Sequence, residues 1–329
     1  MTVIARGAGA LAAAALASAT LVAGASSPAA AQDSTTIAIT AIVEHPALDA
    51  ARQGVIDVLT ENGYTEGETL EIMFDTAQGN PATAAQIARQ FVGEGPDIIV
   101  PISTPSAQAV VSATSDIPVV FTAVTDPLAA QLVSDMMAPG GNVTGVSDMS
   151  PLADHLDLIR EVMPEAETIG VPYNPGEANA VVLLDRLEEL APGMGFEIVR
   201  VTASRTADVM GAAQSLVGRV DAIYVPTDNT IVSAFESVVG VGQDNDIPVF
   251  AGDTASVERG AIGAIGFDYY QVGRQTGQVV LDVLNGEDPG SIPVRFASGS
   301  ELFVNPGAAE AMGVELPQDL VDRATQVIE

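Results

Sequence analysis

Polar side chains follow several apolar runs of strand type, at the points where helices begin. Thr104 and Ser106 follow one run, Thr125 follows the next, and Asp228 and Asp253 follow two later runs. In open α/β sheets, ligands bind in the crevice beyond the carboxyl ends of the strands. Hydroxyls and the free N–H groups of helix N-termini suit a carboxylate, whereas an acid suits an ammonium group. The combination indicates a site for a small zwitterionic ligand.

A purely structural interpretation of these residues stays open. Four of the turns pair a capping residue with proline, which is also an ordinary way to start a helix. Asp228 and Asp253 suit N-caps as well as they suit a ligand site, because a carboxylate has two oxygens and can serve both. The concentration of such turns at strand exits favours the site. The four dipeptides are His45-Pro46, Thr104-Pro105, Asp126-Pro127 and Asn174-Pro175.

Composition excludes several functional classes. The 329 residues include no cysteine and two histidines, and all 12 basic residues are arginine. Disulfides, thiolate metal sites, Schiff-base lysines and P-loop lysines are therefore excluded, and little material exists for a histidine-based site. We predict no metal and no cofactor. The formal charge of −31 repels phosphate backbones, so we also predict no nucleic-acid partner.

Apolar runs of strand type alternate with amphipathic stretches of helical period along the chain. This alternation predicts an α/β fold with parallel sheets connected by helices. Nine runs are too many for one sheet of five or six strands, so we predict two Rossmann-like lobes. The Gly-rich segment 139–145 is predicted to be the crossover between them. The nine runs are 36–43, 70–74, 97–101, 118–122, 168–171, 196–201, 222–225, 248–251 and 261–267.

The N-terminal residues 1–31 are typical of a signal peptide. Arg6 precedes an uncharged Ala/Leu/Gly-rich stretch, and three alanines at 29–31 supply a small-residue cleavage pattern. No cysteine follows to carry a lipid. We therefore expect a periplasmic protein, exported across the inner membrane with its signal peptide removed and without a lipid anchor.

Seven segments, in this order, resemble a family of ABC-transporter substrate-binding proteins whose best-known members bind tryptophan or phenylalanine. They are EHPALD at 44–49, TPSAQA at 104–109, VFTAVTDP at 120–127, GNVTGVSD at 141–148, YNPGEAN at 173–179, PTDN at 226–229 and GFDYY at 266–270. The resemblance implies the type I periplasmic-binding-protein fold, in which two Rossmann-like lobes with parallel sheets are joined by crossover strands. We expect an N-terminal lobe of 33–144 plus about 266–300, and a C-terminal lobe of 145–265 plus about 301–329.

The same resemblance implies roles for particular residues. The ligand carboxylate is expected at hydroxyls and N–H groups of the first lobe: Thr104, Ser106, Ala123 and Thr125. The ammonium group is expected at Asp253, with Asp228, beside Asn229, as the competing acid. The side-chain pocket is expected to be bordered by Tyr173, Asn174, Glu177 and Asn179, with His45 at the edge of the crevice. Hinge candidates are Gly141, Gly145, Gly266 and the region around 302–304.

The expected ligand is a small molecule, L-tryptophan or L-phenylalanine, and the expected partners are the permease and ATPase of an ABC importer. We expect a monomer without catalytic activity. Two alternatives stay open. One is an exported α/β hydrolase acting on an amino-acid derivative, although no Gly-x-Ser-x-Gly motif is present. The other is a sensor subunit that reports ligand occupancy to a receptor.

Overall fold

The computed structural model describes residues 34–328, and the predicted signal peptide lies outside this range. The strands are β1 (Thr35–Ala41), β2 (Leu70–Thr76), β3 (Ile98–Ile102), β4 (Val119–Val124), β5 (Val143–Ser147), β6 (Thr168–Tyr173), β7 (Glu197–Thr202), β8 (Ala222–Val225), β9 (Val249–Ala251), β10 (Gly263–Phe267), β11 (Arg295–Phe296), β12 (Ser300–Val304) and β13 (Gln326–Val327). The helices are α1 (Pro46–Glu61), α2 (Pro81–Glu94), α3 (Thr104–Val111), α4 (Leu152–Val162), α5 (Ala178–Leu190), α6 (Val209–Gln214), α7 (Asn229–Val232), α8 (Phe235–Asp244), α9 (Ala255–Glu258), α10 (Tyr269–Leu284), α11 (Pro306–Ala311) and α12 (Gln318–Arg323).

These strands form two sheets, one in each lobe. The first has the order β11-β5-β4-β3-β1-β2 and is parallel throughout. The second has the order β13-β12-β10-β9-β8-β6-β7, and only the β10–β12 pair among these strands is antiparallel. The chain passes between the sheets after β5, after β10 and after β11. The predicted α/β fold of two Rossmann-like lobes with crossover segments is confirmed.

All nine predicted runs overlap an observed strand, but the predicted crossover at 139–145 was wrong. Residues from Val143 onward form β5, which pairs with β4 inside the first sheet. The strand was missed because it is five residues long with Gly145 at its centre. A Cβ at Gly145 would overlap the carbonyl oxygen of Phe121, so close packing accounts for this glycine. The first crossover begins after Ser147.

Helices α1 and α10 cover one face of the first sheet and pack directly against each other. Gly54 of α1 faces the backbone of Tyr270, and Gly273 of α10 faces the backbone of Ala51. Glycine allows two helix backbones to approach closely because it has no Cβ. The N-termini of both helices therefore lie together at the carboxyl edge of the sheet, where a ligand site is expected.

A buried histidine joins three elements of the second lobe. His155 of α4 is 2% exposed, and its Nδ1 lies 2.5 Å from the hydroxyl of Tyr224 on β8. Its Nε2 lies 2.5 Å from the carbonyl oxygen of Ile265 on β10. A carbonyl only accepts, so Nε2 carries the proton and Nδ1 accepts from Tyr224. Burial lowers the pKa of His155 to about 4, so the ring is neutral at neutral pH.

We expect His155 to contribute less to the free energy of unfolding as the pH is lowered from 6.5 to about 4. Between pH 6.5 and about 4 the unfolded chain binds a proton at this position that the folded protein does not. The free energy of unfolding therefore decreases as pH falls, at a full slope of about 1.4 kcal/mol per pH unit. Urea denaturation should show His155→Gln less stable than the wild type at neutral pH, with the difference narrowing towards about pH 4.5. A difference that stays constant over this range would contradict the assignment.

Candidate functional site

A pocket lies between the lobes, where strands of both sheets end. Its free volume is about 20 Å³, close to the space of one water molecule, so a larger ligand enters only when the pocket walls move apart. The first-lobe wall is formed by His45, Ala47, Leu48, Ala123, Thr125 and Asp148. The opposite wall is formed by Asn179, Thr227, Asp228, Asn229, Val232 and Asp253, with Tyr269 at the start of α10.

The pocket brings together seven of the residues named from the sequence: His45, Ala123, Thr125, Asn179, Asp228, Asn229 and Asp253. Five others lie outside its lining: Thr104, Ser106, Tyr173, Asn174 and Glu177. Thr104 and Ser106 are buried in the first turn of α3. Tyr173 ends β6 and borders a separate surface groove, while Asn174 and Glu177 lie behind the second-lobe wall.

Several buried side-chain atoms in and beside the pocket have no hydrogen-bond partner within residues 34–328. Four belong to the lining: His45 Nδ1, Asp148 Oδ1, Asn179 Oδ1 and Thr227 Oγ1. Three more are the hydroxyls of Ser103, which precedes α3, and of Thr104 and Ser106 in its first turn. A buried polar atom without a partner costs about 1–3 kcal/mol. The four atoms that line the pocket are therefore placed to form hydrogen bonds with a polar ligand.

Strained backbone occurs at two of the first-lobe turns. Ser103 has φ +79° and Ala123 has φ +53°, values that side chains other than glycine rarely adopt. The pairing of β4 with β5 also shifts register between Phe121 and Val124, so Ala123 lies in a bulge. Strain of this kind clusters at ligand-binding sites, where it aims particular groups. Here it places Ala123 and Thr125 on the pocket wall.

Glu177 orients two amide side chains of the second-lobe wall. Its Oε2 accepts from Asn229 Nδ2 at 2.6 Å and from Asn179 Nδ2 at 3.3 Å. Its Oε1 accepts from the N–H of Thr230 at 3.0 Å and from its hydroxyl at 2.7 Å. Asn179 Nδ2 also donates to the carbonyl of Thr227 at 2.9 Å. Both Nδ2 protons of Asn179 thus have acceptors, so its Oδ1 presents an acceptor to the pocket.

Three buried carboxyl groups line the pocket: Asp148, Asp228 and Asp253. Burial raises the pKa of each one, and the neighbouring Glu177 raises the pKa of Asp228 further. A buried carboxylate favours an opposite charge beside it. The pocket is therefore suited to a ligand with a cationic group.

Two of these acids already bind the turns of their own lobe. Asp228 Oδ1 accepts from the N–H of Thr230 at 2.9 Å, and its Oδ2 accepts from the N–H of Asn174. Asp253 Oδ1 accepts from the N–H of Ser256 at 2.9 Å, and its Oδ2 accepts from the Ser256 hydroxyl at 2.7 Å. Asp228 is the N-cap of α7, the structural role that the sequence left open, and Asp253 accepts from the first turn of α9, whose N-cap is Thr254.

His45 lies at the N-terminus of α1, on the pocket wall. Burial, aided by the positive charge of Arg259, lowers the pKa of His45 to about 4, and a hydrogen bond with the Asn229 side chain offsets part of this. The ring is therefore neutral at neutral pH. Its unpartnered Nδ1 lets it meet either a donor or an acceptor of the ligand, depending on the tautomer.

Sequence reasoning missed Asp148 and Thr227 as site residues. Asp148 directly follows β5, so the strand-exit rule that found Thr125 would have found it had β5 been recognised. Leu48 and Val232 supply apolar surface to the pocket. In the sequence, the helical spacing of these two residues predicts only that they are buried in the core. It does not indicate that they line a ligand pocket.

Residues 36–328 match the family described as ABC transporter substrate binding protein. The chain belongs to this family. Substrate-binding proteins of ABC transporters work outside the cytoplasm. Within residues 34–328, no helix of this substrate-binding protein is long and apolar enough to cross a membrane. The same residues contain no group of three or more His, Cys, Asp or Glu side chains that could hold a metal ion.

Three relatives resemble this protein over most of its length. The substrate-binding protein is 41% identical over 279 residues to the tyrosine-binding protein of Clostridioides difficile strain R20291, covering 85% of this chain and 81% of that protein. A Streptococcus pneumoniae domain in complex with L-Trp is 35% identical, with TM-score 0.87 over 90% of this chain and 100% of that one. The ligand-free, open structure of a Clostridium difficile substrate-binding protein is 40% identical, with TM-score 0.67 over 89% and 99% of the two chains.

Proposed function

We propose that this substrate-binding protein binds an aromatic amino acid between its lobes and delivers it to the permease of an ABC importer. The observation that carries the proposal is the pocket, which combines buried carboxyl groups, unpartnered polar atoms and the apolar side chains of Leu48 and Val232. A zwitterion with an apolar side chain meets all three features. The tyrosine-binding relative and the L-Trp complex support an aromatic ligand.

The ligand carboxylate is proposed to bind to the first lobe. The hydroxyls of Thr104 and Ser106 and the turn at Ala123 and Thr125 offer donors at the ends of β3 and β4. Asn179, Asn229 and His45 are assigned to the rest of the ligand. Asn174 and Glu177 act from behind this wall through Asn179 and Asn229. Tyr173 is the last residue of β6, directly before Asn174.

Ligand binding is proposed to close the lobes, which pivot on the three segments between the sheets, at 148–151, 268 and 297–299. Arg186 of the second lobe lies 2.8 Å from Asp126 of the first, so the lobes of this structure touch across the cleft. The higher TM-score to the L-Trp complex than to the open protein, despite lower sequence identity, supports a closed arrangement. Closure of this kind excludes water from the ligand.

The remaining elements of the proposal concern location and partners. The protein is exported to the periplasm, loses residues 1–31 and carries no lipid anchor. It works as a monomer with a permease and an ATPase, and it releases its ligand unchanged. Recovery of the bound ligand in unaltered form after prolonged incubation is the expected result, and a converted product would favour the hydrolase alternative.

We expect L-tryptophan to bind with micromolar or tighter affinity. The protein contains no tryptophan, so the emission of the ligand itself reports its transfer into an apolar site. The protein is first unfolded and refolded to remove any carried ligand, and L-tyrosine and L-phenylalanine are then tested by competition. A saturable blue shift reversed by these competitors supports the proposal, with L-aspartate as the control that does not compete. Failure of all three aromatic amino acids to bind would overturn it.

A further inference from the structure

Asp148 begins one of the segments that join the lobes, and Tyr269 directly follows another. Asp148 follows β5 directly, and Tyr269 begins α10 two residues after β10 ends. The Tyr269 hydroxyl donates to Asp148 Oδ2 at 2.6 Å, although 121 positions separate the two residues. Both side chains are buried and line the pocket. This pair therefore ties two crossover segments together at the ligand site.

The other oxygen of Asp148 is unusual among the pocket acids. Asp148 is 3% exposed, yet no group within residues 34–328 makes a hydrogen bond to its Oδ1. We propose that Asp148 Oδ1 receives the ammonium group of the bound amino acid, an inference that rests on the function proposed above. Asp253, the acid expected from the resemblance, and Asp228 instead engage both oxygens in turns of the second lobe.

The electrostatics of Asp148 agree with this role. Burial raises the pKa of Asp148, while the nearby hydroxyls of Tyr269 and Thr125 and its own N–H favour the charged form. A buried carboxylate with one oxygen lacking a hydrogen-bond partner is unfavourable by itself, and an ammonium group supplies the opposite charge and the missing hydrogen bond. Tyr269 is a positioning residue, because its hydroxyl occupies Oδ2 and leaves Oδ1 for the ligand.

The test compares ligands with and without an ammonium group in the full chain. Asp148→Asn keeps the shape of the side chain and removes its charge. Asp253→Asn tests the competing acid, and Asp154→Asn, at an exposed position of α4, is the matched control. We expect Asp148→Asn to weaken L-tryptophan binding by roughly 30-fold or more. The control ligand is 3-indolepropionate, which keeps the ring and the carboxylate but lacks the ammonium group. Its affinity should change less than about threefold, because it has no cationic group for Asp148 to bind.

Thermal unfolding without ligand separates this role from a structural one. Asp148→Asn should unfold at the wild-type temperature or above it, since it removes a buried, unpaired charge. Tyr269→Phe is the second variant, and it should weaken L-tryptophan binding less than Asp148→Asn does, because the carboxylate remains.

Two results would count against the inference, and they differ in meaning. If the wild type binds L-tryptophan and Asp148→Asn binds it within about threefold, the inference fails alone, and loss in Asp253→Asn would move the ammonium group to Asp253. If the wild type binds none of the three aromatic amino acids, the proposed function fails and the inference fails with it.

Discussion

Replacing Glu177 by glutamine is expected to lower the free energy of unfolding by about 3 kcal/mol. The carboxylate accepts hydrogen bonds from Asn179, Asn229 and Thr230 through both oxygens, and it is 5% exposed. Glutamine keeps one acceptor and turns an amide N–H₂ towards groups that are themselves donors. Buried N–H groups would then lose their partners. Urea denaturation measures the loss directly.

Glu177→Gln should also lower the ligand affinity by about tenfold or more, because Asn179 would no longer be held with its Oδ1 facing the pocket. Glu189→Gln is the matched control, since Glu189 is an exposed residue of the adjacent helix α5. That variant should stay within about 0.5 kcal/mol of the wild type. Equal stability of the two variants would show that the Glu177 hydrogen bonds contribute little.

Gly273→Ala is expected to destabilise the first lobe by about 3 kcal/mol. A Cβ at this position would overlap the carbonyl oxygen of Ala51, a backbone atom in the middle of α1. Backbone atoms cannot rotate away as a flexible side chain can, so α1 and α10 must separate and leave gaps in a close-packed core. Because Tyr269 begins α10 and His45 precedes α1, the ligand site should also loosen.

Gly93→Ala is the control for the change in helix propensity that any glycine-to-alanine substitution brings. Gly93 lies exposed in α2, and a Cβ there would meet no atom of residues 34–328 within 4 Å. Alanine is the better helix former, so this variant should gain about 0.5–1 kcal/mol. Both variants are compared by urea denaturation and by titration with L-tryptophan. A gain in stability at both positions would contradict the close approach of α1 and α10.

The amino-acid sequence by itself determined the fold class and much of the candidate site. Hydrophobic periodicity is a local property, so it marked nine strands correctly and placed Thr125, Asn229 and Asp253 at strand exits that meet at one crevice. Composition is independent of folding, and the absence of cysteine and lysine excluded whole classes of chemistry. The local pattern failed at β5, where a glycine interrupts a strand of five residues.

Only the tertiary structure decided which polar atoms already have partners. In the sequence, Asp148, Asp228 and Asp253 look alike, because each is an aspartate that follows a strand. In the structure they differ in how many of their carboxylate oxygens accept hydrogen bonds. Those partners come from residues far apart in the chain, as the pair formed by Asp148 and Tyr269 shows. Hydrogen bonding between distant segments depends on how the sheets and helices pack, and no spacing within the sequence records it.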